Sequence, residues 1–445
     1  MGSESVRVGV LSLHDSKESK AICNAVEALG HEPEWLRREN TLVRFADERV
    51  RLDPDVDIVA NRLLLSNTPQ PAEHLGVAET IAAVRPMLNE PHATAIAAHK
   101  IASATRLVEA GLRVPETVFA LDGPLLNRHR ERFGPEAVYK TAVGTHGGGA
   151  WKVDTSDVLS PLVGQRRAFL QELVGLEGRT PRDLRVYVVD GEAVAAMLRY
   201  AAESDWRTNV ARGGSVADAT DSIPDRVADM ACEATAVLGL DYAGVDLIEG
   251  ADGWYVLEVN PTAGFRGLYR ATGYSPAPAI ARLAIERAGV DVDGDRVAEL
   301  SATLDDSTPT CMPTLSATSF EERVVIGLTE RIVVSGTKGN ETVVGKCDSG
   351  AARTSIDLQL AADIGAGPIH TVSRVRSGSR ASGRSRPVVD LVLGIAGTQH
   401  TVEANIEDRS HMTYPLLLGR DVLKHYHLDV TRRVENESRP PLDEE

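Results

Sequence analysis

Two period-two runs, VDLIEG at 245–250 and GWYVLEVN at 253–260, are separated by Ala251 and Asp252 alone. Alternation of this kind makes strands with two unlike faces, and the GADG turn between them folds one strand back beside the other. Glu258 and Asn260 stand two apart, so both side chains leave the same face, while Asp246 lies on the neighbouring strand. Three oxygen-bearing side chains therefore converge. Two carboxylates and an amide, without His or Cys, form a hard-oxygen set suited to Mg²⁺. On spacing alone, a solvated strand face fits equally well.

More phosphate chemistry lies upstream. In YKTAVGTHGGGAW, Lys140 ends a strand ahead of Gly144, Gly147, Gly148 and Gly149. Glycines admit backbone N–H groups close to phosphate oxygens, and a lysine adds a point charge. The segment is neither GxxxxGK[ST] nor a GxGxxG opening a helix, which excludes the two commonest nucleotide loops.

At 445 residues the chain exceeds one ordinary core, so two or three domains are expected. VRVGVLSL, the amphipathic stretch SKAICNAVEALGHEPEWL closed by Gly30, and DVDIVANRLL predict a βαβ-like α/β domain over residues 1–90. From HKIASATRLVEAGLRVPETVFAL a second domain runs over 91–290, with strands at EAVYKTAV, AFLQELV and DLRVYVVDGEAVAAMLRY and a helix at IPDRVADMACEATAVLGL. Residues 291–320, rich in Ser, Thr, Pro and Asp, read as a linker. Short strand patterns over 321–435 predict a compact all-β domain, and the polar tail 436–445 is expected to be disordered.

The pieces HKIASATRLVEAGLRVPET, VYKTAVGTHGGGAW, FLQELVG, RDLRVYVVDGEAVAAMLR, DWRTNVARGG, LGLDYAGVDLI and WYVLEVNPTAGFRGL resemble, in order, the ATP-grasp carboxylate–amine ligases of the RimK type. That family adds glutamate or similar amino acids to a carboxyl end. The resemblance covers roughly residues 95–290 and implies an α/β pre-ATP-grasp domain followed by an α+β ATP-grasp domain. It further implies that Lys100 and Lys140 contact ATP phosphates and that the Gly144–Gly149 loop closes over them. Glu172 and Leu173 fall where adenine meets the interdomain hinge, and Asp183, Arg207, Thr208 and Asn209 match nucleotide or intermediate contacts. Asp246, Glu258 and Asn260 match the ligands of Mg²⁺ or Mn²⁺. Arg207 would stabilise the anion forming at the acyl centre, its alternative being a surface ion pair of little worth. Leu173 replaces a frequent aromatic, and NPTAGF replaces a more usual serine-bearing turn, so the departures fall on the amino-acid pocket.

Further along, Asp348-Ser349-Gly350 ends a strand, and Leu416–Leu418 precede Gly419-Arg420-Asp421. This pairing resembles retropepsin-like aspartic proteases, more narrowly the RimB-type domains often called ATP-dependent zinc proteases, and implies an all-β barrel. Aspartic protease chemistry needs two carboxylates sharing a proton, so one DSG requires a homodimer supplying Asp348 twice, with Ser349 orienting the carboxylate. The alternative is a domain that only dimerises. His400, His411, His425 and His427 are available, the last two expected on one strand face, but no motif fixes a zinc site.

A net charge of −16 disfavours nucleic acid, and the basic run at 373–386 reads as a mobile solvated loop. No apolar run reaches the roughly 18 residues of a membrane span, and no signal peptide precedes the first strand, so a cytoplasmic protein is expected. Four scattered cysteines argue for reduced thiols. The leading expectation is an ATP- and Mg²⁺-dependent ligase joining an amino acid to a carboxylate-bearing small molecule, peptide or protein C-terminus, fused to a retropepsin-like domain. The alternatives are an aspartic-type peptidase regulated by an ATP-binding region, and a binding protein without either activity.

Overall fold

The computed structural model describes residues 5–14, 16–68, 70–144, 149–163, 166–175, 180–202, 206–208, 214–310, 324–375 and 384–434. The chain divides into two compact units, Met1–Thr314 and Leu315–Glu445. Among the described residues no helix is long and apolar enough to cross a membrane.

The first unit opens with a parallel sheet. β1 (Arg7–Leu11) lies between β2 (Glu32–Leu36) and a later strand, and Val8, Val10 and Leu11 are fully buried, as a two-sided parallel strand requires. α1 (Lys17–Ala28) starts where the Ser16 hydroxyl accepts from the Ser19 amide at 3.1 Å, and it ends ahead of Gly30, whose φ of +87° closes the helix. The sequence pattern ran the helical stretch on through EPEWL; those residues instead form β2, whose Trp35 and Leu36 are buried. A ribbon of β3 (Leu42–Ala46) and β4 (Arg49–Asp53), for which the sequence reading had no strands, precedes β5 (Ile58–Asn61), the other neighbour of β1. α2 (Pro71–Ala82) leads to β6 (Met87–Leu88) at the sheet edge.

α3 (Pro91–Ala98) and α4 (Lys100–Glu109) then carry the chain into two antiparallel sheets. β7 (Thr117–Val118), α5 (Gly123–His129), β8 (Glu136–Thr141), β9 (Ala150–Asp154), β10 (Leu162–Val163) and β11 (Arg166–Gln171) build the smaller one, in the order β10-β11-β8-β9 with β7 on β11. The larger has the order β14-β13-β12-β15-β16, from β12 (Arg182–Val189), β13 (Glu192–Tyr200), β14 (Ser215–Asp218), β15 (Tyr242–Gly250) and β16 (Gly253–Asn260). α6 (Asp225–Val237) packs Val227, Ala231 and Ala234 onto that sheet. The β12–β13 turn has Asp190 and Gly191 both at positive φ, 51° and 75°, which is the twist a two-residue hairpin needs.

α7 (Arg266–Thr272) and α8 (Ala277–Arg287) follow β16. The linker expected from residue 291 is interrupted at once by α9 (Gly294–Ser301), whose cap Asp293 accepts from the Asp295 amide and whose Val297 is buried. The polar residues that follow obscured this single amphipathic turn pair.

In the second unit, β17 (Val325–Gly327), β18 (Thr329–Gly336), β19 (Gly339–Cys347), β20 (Ser355–Asp357), α10 (Leu358–Ile364), β21 (Ile369–Val375), β22 (Arg384–Ile395), β23 (Thr398–Glu407), β24 (Leu416–Leu418), α11 (Arg420–Leu423) and β25 (His427–Asp429) follow in order. Strands β18-β19-β24-β20-β23-β22 form a six-stranded barrel closed by the β22–β18 pairing. The all-β expectation thus gains two short helices. The ends of the basic run at 373–386 belong to β21 and β22, a strand pair where a loop was expected; its centre and the tail 436–445 lie outside the described residues.

Candidate ligase site and the Asp348 turn

One rung of the larger sheet carries the polar chemistry. Glu258 on β16 pairs in register with Asp246 on β15, and Asp246 with Arg185 on β12. Arg185 grips Asp246 with Nε on Oδ1 at 2.6 Å and a terminal nitrogen on Oδ2 at 2.7 Å. Arg199 on β13 adds a contact to Asp246 Oδ2 at 3.0 Å while holding Asp183 through two bonds of 2.7 and 2.6 Å. Burial pushes the Asp246 carboxyl up, but Arg185 and Arg199 outweigh it and hold the group below the usual carboxylate range. Asn260 Nδ2 stands 3.5 Å from Asp246 Oδ2, so the three expected donors do share one place.

Lys100 reaches that rung from α4, whose first turn is fixed by the His99 ring accepting from the Ala102 amide and by the Lys100 amide donating to Ala142 O at 2.8 Å. Its Nζ donates to Glu258 Oε2 at 2.7 Å and Gly144 O at 3.3 Å. Lys140 Nζ donates to Gln171 Oε1 at 2.6 Å. Burial, then the neighbouring Lys100 charge, lowers the Lys140 pKa to about 8.

The glycine loop leaves β8 and returns as β9 around Thr141. A Cβ on Gly149 would stand 2.2 Å from Thr141 Oγ1 and one on Gly144 2.8 Å from it, so a side chain at either position would have to displace the Thr141 hydroxyl. Thr141 Oγ1 is buried and finds no hydrogen-bond partner among the described residues. Gly147, Gly148 and Asn209 lie outside those residues. Thr208 donates to Asp183 Oδ2 at 2.6 Å and Arg207 to Ala150 O at 3.4 Å. The Glu172 amide donates to Glu116 O at 2.8 Å, where β7 meets β11.

These residues line a cavity of about 770 Å³ that takes in Lys100, Lys140, Asp183, Arg207, Asp246 and Glu258. Glu172, Leu173, Thr208 and Asn260 line it too. That volume suits a nucleotide-sized ligand. The donor set of two carboxylates and an amide, from Asp246, Glu258 and Asn260, fits a hard divalent cation, and Lys100 and Lys140 line the same cavity.

Arg185, Arg199 and Gln171 were not singled out from the sequence. The signal for the first was present: Asp183 and Arg185 stand two apart in an otherwise apolar strand, on one face. Arg199 becomes meaningful only once β13 is placed against β12, where it pairs with Asp183.

In the second unit β24 threads between β19 and β20, parallel to the first and antiparallel to the second. Asp348 follows β19, its amide donating to Leu418 O at 2.9 Å. Within the single chain the Gly350 amide donates to Asp348 Oδ1 at 2.9 Å. Asp421 receives the Thr354 amide and hydroxyl, each at 2.9 Å, tying the turn to the barrel. His425 and His427 do not share a strand face: His425 sits in the turn before β25 and stacks on His400 at 5.2 Å.

The model of the RimK-like ATP-grasp domain matches residues 97–283, and that of the retropepsin-like aspartic endopeptidase RimB matches residues 362–438, a span that begins after the Asp348 turn. The chain belongs to the RimK-like ATP-grasp family. A probable alpha-L-glutamate ligase of Alkalilimnicola ehrlichii is 35% identical over 42% of this chain and 62% of its own length. A tetrahydromethanopterin:alpha-L-glutamate ligase of Methanosarcina acetivorans is 30% identical over 43% and 67% respectively. The chain therefore spans somewhat under two thirds of the first relative. Among solved structures, the ATP-grasp ligase PsnB complexed with a phosphomimetic variant of its minimal precursor, Mg and ADP superposes with a TM-score of 0.51 at 22% identity, covering 63% of this chain and 98% of that one. The likeness establishes the fold.

Proposed function

We propose that the first unit is an ATP- and Mg²⁺-dependent carboxylate–amine ligase that joins a carboxylate to the amine of an amino acid, glutamate or a similar one. The observation that carries this reading is the rung on which Glu258 and Asp246 face each other, with Lys100 on Glu258, in the wall of a cavity of nucleotide size. Asp246, Glu258 and Asn260 would hold Mg²⁺, which when bound neutralises charge on the transferring phosphoryl group.

A carboxylate is a poor acceptor for an amine. Transfer of the γ-phosphoryl group to a carboxylate oxygen gives an acyl phosphate and ADP; the amine then attacks the acyl carbon, phosphate leaves, and the nitrogen gives up its proton. Arg185 and Arg199 keep Asp246 ionised and fix both its oxygens. Lys100 and Lys140 present ammonium groups to the phosphates, with Gly144 and Gly149 admitting backbone contacts. Glu172 and Leu173 meet adenine, Asp183 holds Thr208 against the nucleotide, and Arg207 faces the anion at the acyl centre.

For the second unit we propose a retropepsin-like peptidase module in which two copies of the chain each supply Asp348, supported by the match to the RimB model and the closed barrel. Phosphate release from ATP by the full chain, with Mg²⁺ and each amino acid or a peptide in turn, tests the ligase reading: stimulation by none of them overturns it. Asp348→Asn is expected to abolish peptide cleavage and leave phosphate release unchanged.

A further inference from the structure

β3 and β4 form a two-stranded sheet of their own, and among the described residues neither outer edge pairs with another strand. Asp47 and Glu48 close it, both at positive φ, 53° and 58°, the twist of a two-residue hairpin. Side chains alternate between its faces, so the rungs of Val43 with Leu52 and Phe45 with Val50 make one face. Leu42 with Asp53, Arg44 with Arg51, and Ala46 with Arg49 make the other. The apolar face is anchored at its base, where Leu52 is buried and Val43 packs against the cluster holding Val56, Leu63 and Ile81. Its tip runs past that core: Phe45 is 72% exposed and Val50 39%.

The other face is cationic at its middle. Arg44, Arg49 and Arg51 are exposed, and none of the three makes an ion pair among the described residues. Arg44 stands directly opposite Arg51, and like charges on one rung destabilise a ribbon. The acids of the ribbon lie at its two ends, Asp53 on the far rung and Asp47 and Glu48 in the turn. Anions laid along the middle rungs would relieve the repulsion, and a planar guanidinium is matched to a carboxylate.

We propose that the outer edge of β4 docks an extended acidic segment of a partner protein as a third strand, its carboxylates beside Arg49 and Arg51 and its apolar side chains beside Val50. Along a free edge, alternate residues turn their N–H and C=O groups outward, where another backbone can pair with them. The two unlike faces then ask for a segment in which acidic and apolar residues alternate. A nucleic acid offers no such backbone ladder, and its phosphates would also meet Asp47 and Glu48. A second copy of the chain would lay arginine against arginine. The inference goes beyond the ligase reading and does not depend on it.

Titration calorimetry on the full chain decides it, with a peptide of about eight residues alternating Glu and Val, acetylated and amidated at its ends, as probe. It is expected to bind roughly tenfold more tightly than its Gln–Val counterpart, and than a peptide carrying the same residues as one Glu block and one Val block. Arg49→Gln combined with Arg51→Gln should erase the preference for Glu over Gln, and added salt should weaken it in the unaltered chain. Equal binding of the alternating and block peptides, binding of neither, or a preference that survives the double substitution overturns the assignment. Tighter binding of a single-stranded oligonucleotide of equal charge, lost in the same variant, gives the face to nucleic acid and overturns it too. Should the double variant not fold, the block-peptide comparison on the unaltered chain still decides.

Discussion

Asp246 and Glu258 face each other across β15 and β16, yet each answers to different cations: Asp246 to Arg185 and Arg199, Glu258 to Lys100. The two carboxylates are therefore not equivalent. Asp246 is fixed by bonds to both oxygens, whereas Glu258 is released by moving one lysine side chain. A cation arriving with its nucleotide can take Glu258 from Lys100, and Lys100 is then free for phosphate.

Glu258→Gln removes the movable half of that arrangement. ADP affinity without metal should hold or rise, because Lys100 loses its internal partner, while the gain in ADP affinity conferred by Mg²⁺ should shrink roughly 10–100-fold. Calorimetric titration of ADP with and without Mg²⁺ reads both quantities, and an undiminished Mg²⁺ effect would remove Glu258 from the donor set.

Arg199 is a structural cation as much as a site residue. Its side chain is 5% exposed and bridges Asp183 and Asp246, which are 7% and 10% exposed. Arg199→Ala leaves buried Asp183 without its ion-pair partner while Asp246 keeps Arg185, at a cost of about 3–5 kcal/mol. Urea unfolding followed by the tryptophans should show the first unit's transition moving to lower denaturant; a shift below about 1 kcal/mol would mean that water already screens the cluster.

Lys140 gives the nucleotide site a pH dependence. Burial and Lys100 lower its pKa to about 8, so the ammonium proposed to meet phosphate is lost as pH rises through that value. ADP affinity should fall between about pH 7 and 9. Stability moves the other way: the unfolded lysine keeps its proton to near its ordinary pKa, so between about 8 and 10.5 the unfolded chain binds more protons and folding gains with pH. Lys140→Met should flatten both curves. A pH-independent ADP affinity in the unaltered chain would show that the lysine stays charged.

The β15–β16 hairpin around its two-residue turn was legible, but strict alternation from that turn would set Asp246 opposite Leu257; a register shift between Asp246 and Leu247 is what brings Asp246 opposite Glu258 and onto the face that also carries Asn260. What escaped depended on neighbours remote in sequence. EPEWL has no strand alternation strong enough to separate it from the helix before it, and only pairing with β1 makes it β2. Arg199 sits in an apolar run, and its partner Asp183 is brought opposite by the β12–β13 hairpin. His425 and His427 have strand spacing, but the chain turns at Lys424 and His425 and starts β25 only at His427. Tertiary context overrode local pattern in each case.

Asn89 provides the sharpest test of how the donor strands are held. It is fully buried and adopts φ of 54°, a left-handed conformation that asparagine tolerates better than most residues. Its Oδ1 accepts from the Asp241 and Tyr242 amides at 2.8 and 3.1 Å, and its Nδ2 donates to the carbonyls of Tyr242 and Pro261 at 2.9 and 3.2 Å. One side chain thus clamps the start of β15 to the residue after Asn260, and so sets the spacing of the strands that bear Asp246 and Asn260. Asn89→Ala orphans those buried groups and strains the backbone, for about 2–4 kcal/mol in all. Asn89→Gly loses the same bonds but accepts the positive φ, so it should be more stable than the alanine variant by roughly 1 kcal/mol. Because the clamp is lost in both, both should also weaken the Mg²⁺-dependent gain in ADP affinity. Thermal unfolding and ADP titration on the pair separate backbone strain from the clamp: equal stabilities would remove the first, and an unaltered Mg²⁺ effect the second.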